Sequence, residues 1–221
     1  MKVYPVFLMG LNEKRCVVVG GGREAERKVG GLLDCDAAVT VISSEATGRL
    51  RKWAEEGTVL WVQRQYERGD LCGAFLVIAT GGDADVNKRI SEEAEGEGAL
   101  FNATDDPAHC NFIAGSVMRQ GPLAIAISTS GCAPALAVRI REKLEREFGP
   151  EFAAFLELME ELREPLATCY PDFETRRALW YELVDSDVID HLRDGRSDLA
   201  RERVAEIVGE EVYSGARSAE M

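Results

Sequence analysis

The first hundred residues alternate between two patterns. "RCVVVG" (Arg15–Gly20) is a continuous apolar run ending in glycine, as in a strand covered on both faces. "EAERKVGGLLD" then places Ala25, Val29, Leu32 and Leu33 on one side of a helix. "AAVTVIS" reads as a second buried strand, and "EATGRLRKWAEEG" as a helix with one polar face. "TVLWVQRQY" and "AFLVIAT" read as two further strands. "DADVNKRISEEAEGEG" is a helix opening near Asp83 or Asp85, and "ALFNAT" is another strand. Strands and helices alternating at this spacing predict an α/β fold, a Rossmann-like doubly wound parallel sheet with helices on both faces.

After Thr104 the pattern changes. "DDPAH" is a turn, "NFIAGSVMRQG" is mixed, "PLAIAIST" is strand-like and "SGCAP" is a tight loop. "ALAVRIREKLEREF" is amphipathic, with Leu136, Ile140 and Leu144 on one stripe. Pro150 marks a break, and from there to about Val212 only helices are expected. The tail "YSGARSAEM" is expected to fray.

Composition narrows the partners. The 221 residues carry a net charge of −13, which argues against nucleic acid. The charge is uneven. Residues 149–221 hold 8 Arg, no Lys and 18 Asp or Glu, whereas residues 1–148 hold 18 Lys or Arg against 21 Asp or Glu. An anionic ligand meets less repulsion in the first two-thirds of the chain. No apolar run approaches the roughly eighteen residues that span a membrane. The apolar start carries only Lys2 as a basic residue and is interrupted by Pro5, so a cytoplasmic protein without membrane contact is expected. The six cysteines form no CxxC pair, and scattered reduced thiols are expected rather than disulfides or a zinc site.

Candidate chemistry begins at "VVVGGGREAERK". Gly20, Gly22 and Ala25 fit G-x-G-x-x-A between a buried strand and a helix, the context that a dinucleotide-binding turn requires. Gly20 permits the tight turn, Gly22 lets backbone approach a pyrophosphate, and Ala25 lets helix and strand pack. A plain strand-to-helix turn is the competing account. The acidic residue expected to bind the ribose after the second strand is missing. Ser43, Ser44 and Glu45 stand there instead, which leaves NAD against NADP open.

Two later stretches add to it. Asp105 in "FNATDDPAHCNF" follows a predicted parallel strand, beyond whose carboxyl end ligands sit in open α/β sheets. It can hold a proton or touch a metal, or equally cap an Asx-turn. His109, one of two histidines, reads as a surface turn residue unless it has a partner. "STSGCAP" gathers the hydroxyls of Ser128, Thr129 and Ser130 ahead of Pro134 at a helix start, either an anion receptor or a plain N-cap loop.

In this order these stretches resemble the precorrin-2 dehydrogenase family of the siroheme-synthase amino-terminal type. The resemblance covers about residues 3–148. It rests on "YPVFLMGLNEKRCVVVGGGREAERKV", "GAFLVIAT" with Asn87 downstream, "NATDDPAHCNF" and "GPLAIAISTSGCAPALAVRIREKLE". It implies loss of a hydride from precorrin-2 to NAD, giving sirohydrochlorin, with ferrous or cobaltous ion as a further substrate if the chain also chelates metal. The family's key aspartate falls on Asp105. NAD contacts fall on Gly20, Gly21, Gly22, Arg23 and Glu24, near Ser43, Ser44 and Glu45, and at Ala79 and Thr80. Substrate contacts fall on Asn102, Ser128, Thr129 and Ser130. Asp105 and His109 are the candidate metal contacts.

The implied organisation is an NAD-binding domain over 1–112, a dimerisation and substrate region over 113–148 and a helical C-terminal domain over 149–221, in a homodimer acting on a tetrapyrrole. Departures are visible: Ser130 stands where glycine is common, "GGDAD" where "DDPE" is usual, and His109 and Asn111 flank Cys110 where Leu and Asp are common. A non-catalytic NAD-binding regulatory module is the alternative.

Overall fold

A computed structural model describes residues 3–104 and 106–218. By contacts the chain forms two compact units that divide between Ala114 and Gly115.

The first unit is the predicted α/β layer. Its elements are β1 (Arg15–Val19), α1 (Arg23–Leu33), β2 (Ala38–Ile42), α2 (Gly48–Glu55), β3 (Val59–Val62), β4 (Leu76–Ala79), α3 (Ala84–Gly96) and β5 (Leu100–Ala103). The strands form one parallel sheet in the order β3-β2-β1-β4-β5. The chain winds outward from β1 through β2 to β3, then returns to β4 on the other side of β1. That reversal between β1 and β4 opens a crevice at the carboxyl ends of the strands, where open α/β sheets bind ligands.

Alternation along β1 builds a core on each face. Cys16 and Val18 face Ala25, Val29 and Leu50 of α1 and α2. Val17 faces Ile90 and Ala94 of α3 together with Leu71 and Phe101. All of β1's central residues are fully buried, which is why the sequence shows an unbroken apolar run there. Thr47 caps α2 by accepting from the Leu50 N–H, and Asp83 caps α3 through the Val86 N–H at 2.8 Å.

The second unit begins with an antiparallel pair, β6 (Ser116–Gln120) and β7 (Leu123–Ile127). Helices α4 (Pro134–Glu147), α5 (Pro150–Cys169), α6 (Phe173–Asp185), α7 (Val188–Arg193), α8 (Ser197–Val208) and α9 (Glu210–Ser218) follow. Both α4 and α5 pack on the strand pair. Phe155, Leu162, Leu166, Leu183, Val204 and Val208 form its helical core. The tail expected to fray is helical to Ser218. Val212 and Ala216 are buried in that core, and α9 lies along α5. Gly209, at φ +90°, separates α8 from α9 in a conformation open to glycine.

None of the six cysteines is in a disulfide. Burial, and then the neighbouring Cys35, pushes the Cys16 thiol up to about 11, so it stays a protonated packing group. Among the described residues no helix is long and apolar enough to cross a membrane.

Candidate functional site

The glycine turn closes the carboxyl end of β1, and its three glycines do different work. The Gly20 N–H donates to the Ile42 carbonyl at 2.9 Å, at φ +121°. A Cβ there would overlap Thr80 after β4. Gly21 is packed against the loop after β2: a Cβ would overlap the Glu45 carbonyl and stand 2.6 Å from Ser43 Oγ. Its own carbonyl accepts from the Thr47 N–H at 3.0 Å. Gly22 is the N-cap of α1, and a Cβ there would have nothing within 4 Å. No side chain caps α1, so its first N–H groups face the open space beside Gly22. Ala25 is fully buried against the sheet.

This turn forms one wall of a cleft of about 670 Å³. Ser44 and Glu45 line it from the β2 side, and Ala79, Thr80 and the Gly81–Gly82 turn line it from the β4 side. Arg51 and Arg89 add two cations to the lining. Backbone that only glycine permits, a helix N-terminus and nearby guanidinium groups fit the pyrophosphate of a dinucleotide.

The other expected cofactor residues divide. Ser43 lines the cleft but is buried, and its carbonyl and hydroxyl oxygens accept from Trp61 Nε1 at 3.0 and 3.3 Å. Of the three residues after β2, Ser44 and Glu45 are therefore the exposed ones. Arg23 and Glu24 lie outside the cleft lining. Arg23 borders a separate depression with Arg27, Arg49 and Trp53. Glu24 pairs with Arg27 at 2.6 Å, and that bond holds its carboxyl below the usual range.

Asp105 lies outside the described residues. Residues 106–112 bond back to β5. Cys110 Sγ accepts from the Ala103 N–H at 3.1 Å and donates toward the carbonyls of Asp106 and Ala103. The Asn111 side chain accepts from the Phe101 N–H and donates to the Ala99 carbonyl, pairing the edge of β5. Asn102 donates to the Phe112 carbonyl at 3.1 Å, so its amide shapes this loop. His109 does have a partner: its Nδ1 stands 2.9 Å from both carboxylate oxygens of Asp106. Among the described residues no group of three His, Cys, Asp or Glu is arranged to hold a metal ion. Thr104 Oγ1 is buried with no hydrogen-bond partner among the described residues.

The serine loop belongs to the second unit. Ser128 Oγ accepts from the Ser130 N–H at 3.1 Å, and Thr129 Oγ1 accepts from the Ala133 N–H at 3.2 Å. Ser130 sits at φ +54°, a left-handed conformation that suits the glycine common at this place.

Sequence reasoning missed part of the cleft. Tyr66, expected to end a strand, contributes to the lining and donates to Glu93 Oε2 at 2.6 Å. Burial and that carboxylate push the Tyr66 hydroxyl far up, so it stays protonated. Arg51 and Arg89 belong to helices whose polar faces look alike from sequence. Asn87, noted only as part of a motif, lines the cleft as well.

Comparison with known proteins agrees with this arrangement. A family model described as putative NAD(P)-binding matches residues 7–116. One described as sirohaem biosynthesis protein central matches residues 120–147. A third, the sirohaem synthase dimerisation region, matches residues 151–207. The siroheme synthase of Methylobacillus flagellatus is 33% identical over 208 residues, covering 94% of this chain and 44% of that protein. Siroheme synthase 2 of Yersinia enterocolitica is 36% identical over 187 residues, covering 85% and 39%. The chain thus spans less than half the length of these relatives. A solved structure, SirC, a precorrin-2 dehydrogenase, superposes with a TM-score of 0.76 at 24% identity, over 92% of this chain and all of that one, and shares its fold. With the three models matching in order along 7–207, the chain belongs to the siroheme synthase family.

Proposed function

We propose that this chain is an NAD-dependent precorrin-2 dehydrogenase that forms sirohydrochlorin in siroheme biosynthesis. The observation that carries the proposal is the glycine-walled cleft at the β1/β4 reversal, set in a chain of this family. NAD, when bound, supplies the hydride acceptor. The chain's part is to bind, orient and handle the proton. Gly20 and Gly21 fix the turn, and Gly22 with the start of α1 offers N–H groups to the pyrophosphate. Ser44 and Glu45, which line the cleft from the β2 side, are assigned to the ribose. Loss of a hydride from precorrin-2 leaves one proton to be removed, and Asp105 is assigned as the carboxylate that takes it. The hydroxyls of Ser128, Thr129 and Ser130 suit the carboxylates of the tetrapyrrole. Ferrous or cobaltous ion is assigned as a second substrate of the same aspartate, with His109 held ready by Asp106. The working form is assigned as a homodimer, in keeping with the dimerisation-region match.

The experiment is anaerobic incubation with precorrin-2 and NAD, followed by absorbance. A sirohydrochlorin spectrum is expected, and adding ferrous ion then reads chelation as a further change. Asp105→Ala is expected to slow the dehydrogenation by about a hundredfold or more, the usual range for a lost general base. An NAD-binding chain that leaves precorrin-2 unchanged is a regulatory module instead.

A further inference from the structure

Asn87 stands at the first turn of α3 and is only 4% exposed. Its Nδ2 donates to Asp106 Oδ2 at 3.4 Å. A carboxylate only accepts, so this bond fixes the amide's orientation and turns Oδ1 away from Asp106. Asp106 is itself fixed, with His109 Nδ1 2.9 Å from both of its oxygens. Oδ1 is then a buried acceptor with no hydrogen-bond partner among the described residues. Such an atom is costly to keep and calls for a donor from outside the fold.

Two observations say where that donor comes from. Asn87 lines the cleft. Gly82, in the turn before α3, lies against Oδ1, and a Cβ there would stand 2.7 Å from it. A side chain at Gly82 would collide with the Asn87 amide, so only glycine fits beside Oδ1, in a Gly81–Gly82 turn that itself lines the cleft and whose first residue is at φ +78°. The position in the sheet selects the half of the ligand. Ser44 and Glu45 follow β2, the glycine turn follows β1, and Asn87 and Asp106 follow β4 and β5. With the pyrophosphate on the glycine turn and the adenosine ribose at β2, the β4 side receives the nicotinamide riboside.

We propose that Asn87 binds the nicotinamide riboside half of the dinucleotide, with Oδ1 accepting from its carboxamide N–H or a ribose hydroxyl, and that Asp106 is the positioning residue that aims this amide. The assignment rests on the dinucleotide function proposed for the cleft. It gives Asn87 a role that loop packing alone does not, because the bond is completed only when ligand is present.

The test is calorimetric titration of the full chain with NAD and, separately, with ADP, which lacks the nicotinamide riboside. Asn87→Leu keeps the bulk and removes Oδ1. The expected result is an NAD Kd about tenfold higher, the worth of one lost hydrogen bond, with the ADP Kd within about twofold. The same change removes the Nδ2 bond to Asp106, so the unfolding midpoint is recorded beside each Kd, and the ADP titration reports whether the rest of the cleft is intact. Asp106→Ala should raise the NAD Kd alone, and Asp106→Asn, whose carbonyl still accepts from Nδ2, should restore it. Unchanged NAD affinity in Asn87→Leu overturns the assignment, as does an equal loss of NAD and ADP. If Asn87→Leu does not fold, the Asp106 pair decides by the same criteria. A wild-type chain that binds neither NAD nor ADP overturns the dinucleotide function itself, and this assignment with it.

Discussion

At the residue scale the glycine triplet separates structure from binding. Gly21 is wedged against the Glu45 carbonyl and Ser43, whereas Gly22 has ordinary φ of −81° and open space where a side chain would go. Gly21→Ala must therefore displace the loop after β2, with an expected loss of about 1–3 kcal/mol of stability in urea denaturation. Gly22→Ala should change stability by no more than about 0.5 kcal/mol, yet weaken NAD at least about tenfold by filling the approach to α1. A Gly22→Ala chain that binds NAD like wild type would remove the pyrophosphate from this turn. The motif made Gly20, Gly22 and Ala25 legible, because strand, turn and helix are neighbours in sequence. The Gly21 wedge was not legible, because the carbonyl it meets comes from a separate loop. Asn87 and Asn102 show the same limit. A side chain's hydrogen-bond partners depend on which strand ends lie side by side, and no local pattern records that.

At the scale of elements the strands with two covered faces were plain in the sequence, and the uncovered ends were not. β3 stops at Val62, although the strand-like pattern runs as far as Tyr66. Beyond it the chain leaves the sheet and is held by side chains. Arg64 pairs with Asp70 through two bonds of 2.6 and 2.7 Å. Glu93 of α3 accepts from Tyr66, from the Leu71 N–H at 2.8 Å and from the Gly69 N–H at 3.1 Å. Burial alone would raise the Glu93 carboxyl, but these donors outweigh it and hold it below its ordinary 4.5. A carboxyl lowered by folding stabilises fully above its unfolded pKa, and that contribution is lost as pH falls through the folded value. Glu93→Gln turns an N–H₂ group toward donors and should cost about 1–3 kcal/mol at pH 7. The gap to wild type should narrow as pH drops below the ordinary carboxylate range. Urea titrations between neutral and acidic pH measure it, and a gap that does not vary with pH would show that the charge is not what holds the loop.

At the scale of the molecule the second unit carries large apolar side chains that are exposed among the described residues. The stripe predicted on α4 is real in spacing, but Leu136 is 53% exposed and Ile140 37%. On α6, Phe173, Tyr181 and Val184 are also exposed, at helical spacings that bring them near one face, and α6 lies within the matched dimerisation region. Large apolar side chains grouped on one face mark an association surface. A second copy of the chain is the occupant that the family match favours. Tyr181→Glu with Val184→Glu puts two charges on the α6 face, and Leu136→Glu with Ile140→Glu does the same on α4. Burying an unpaired charge in an interface is costly enough to dissociate it. Each pair is expected to shift the sedimenting species from dimer to monomer at micromolar concentration. NAD affinity should persist, because the glycine-walled cleft is built wholly within the first unit. A pair that leaves the dimer intact removes its helix from the interface, and loss of NAD binding on dissociation would mean that the cleft depends on the partner copy.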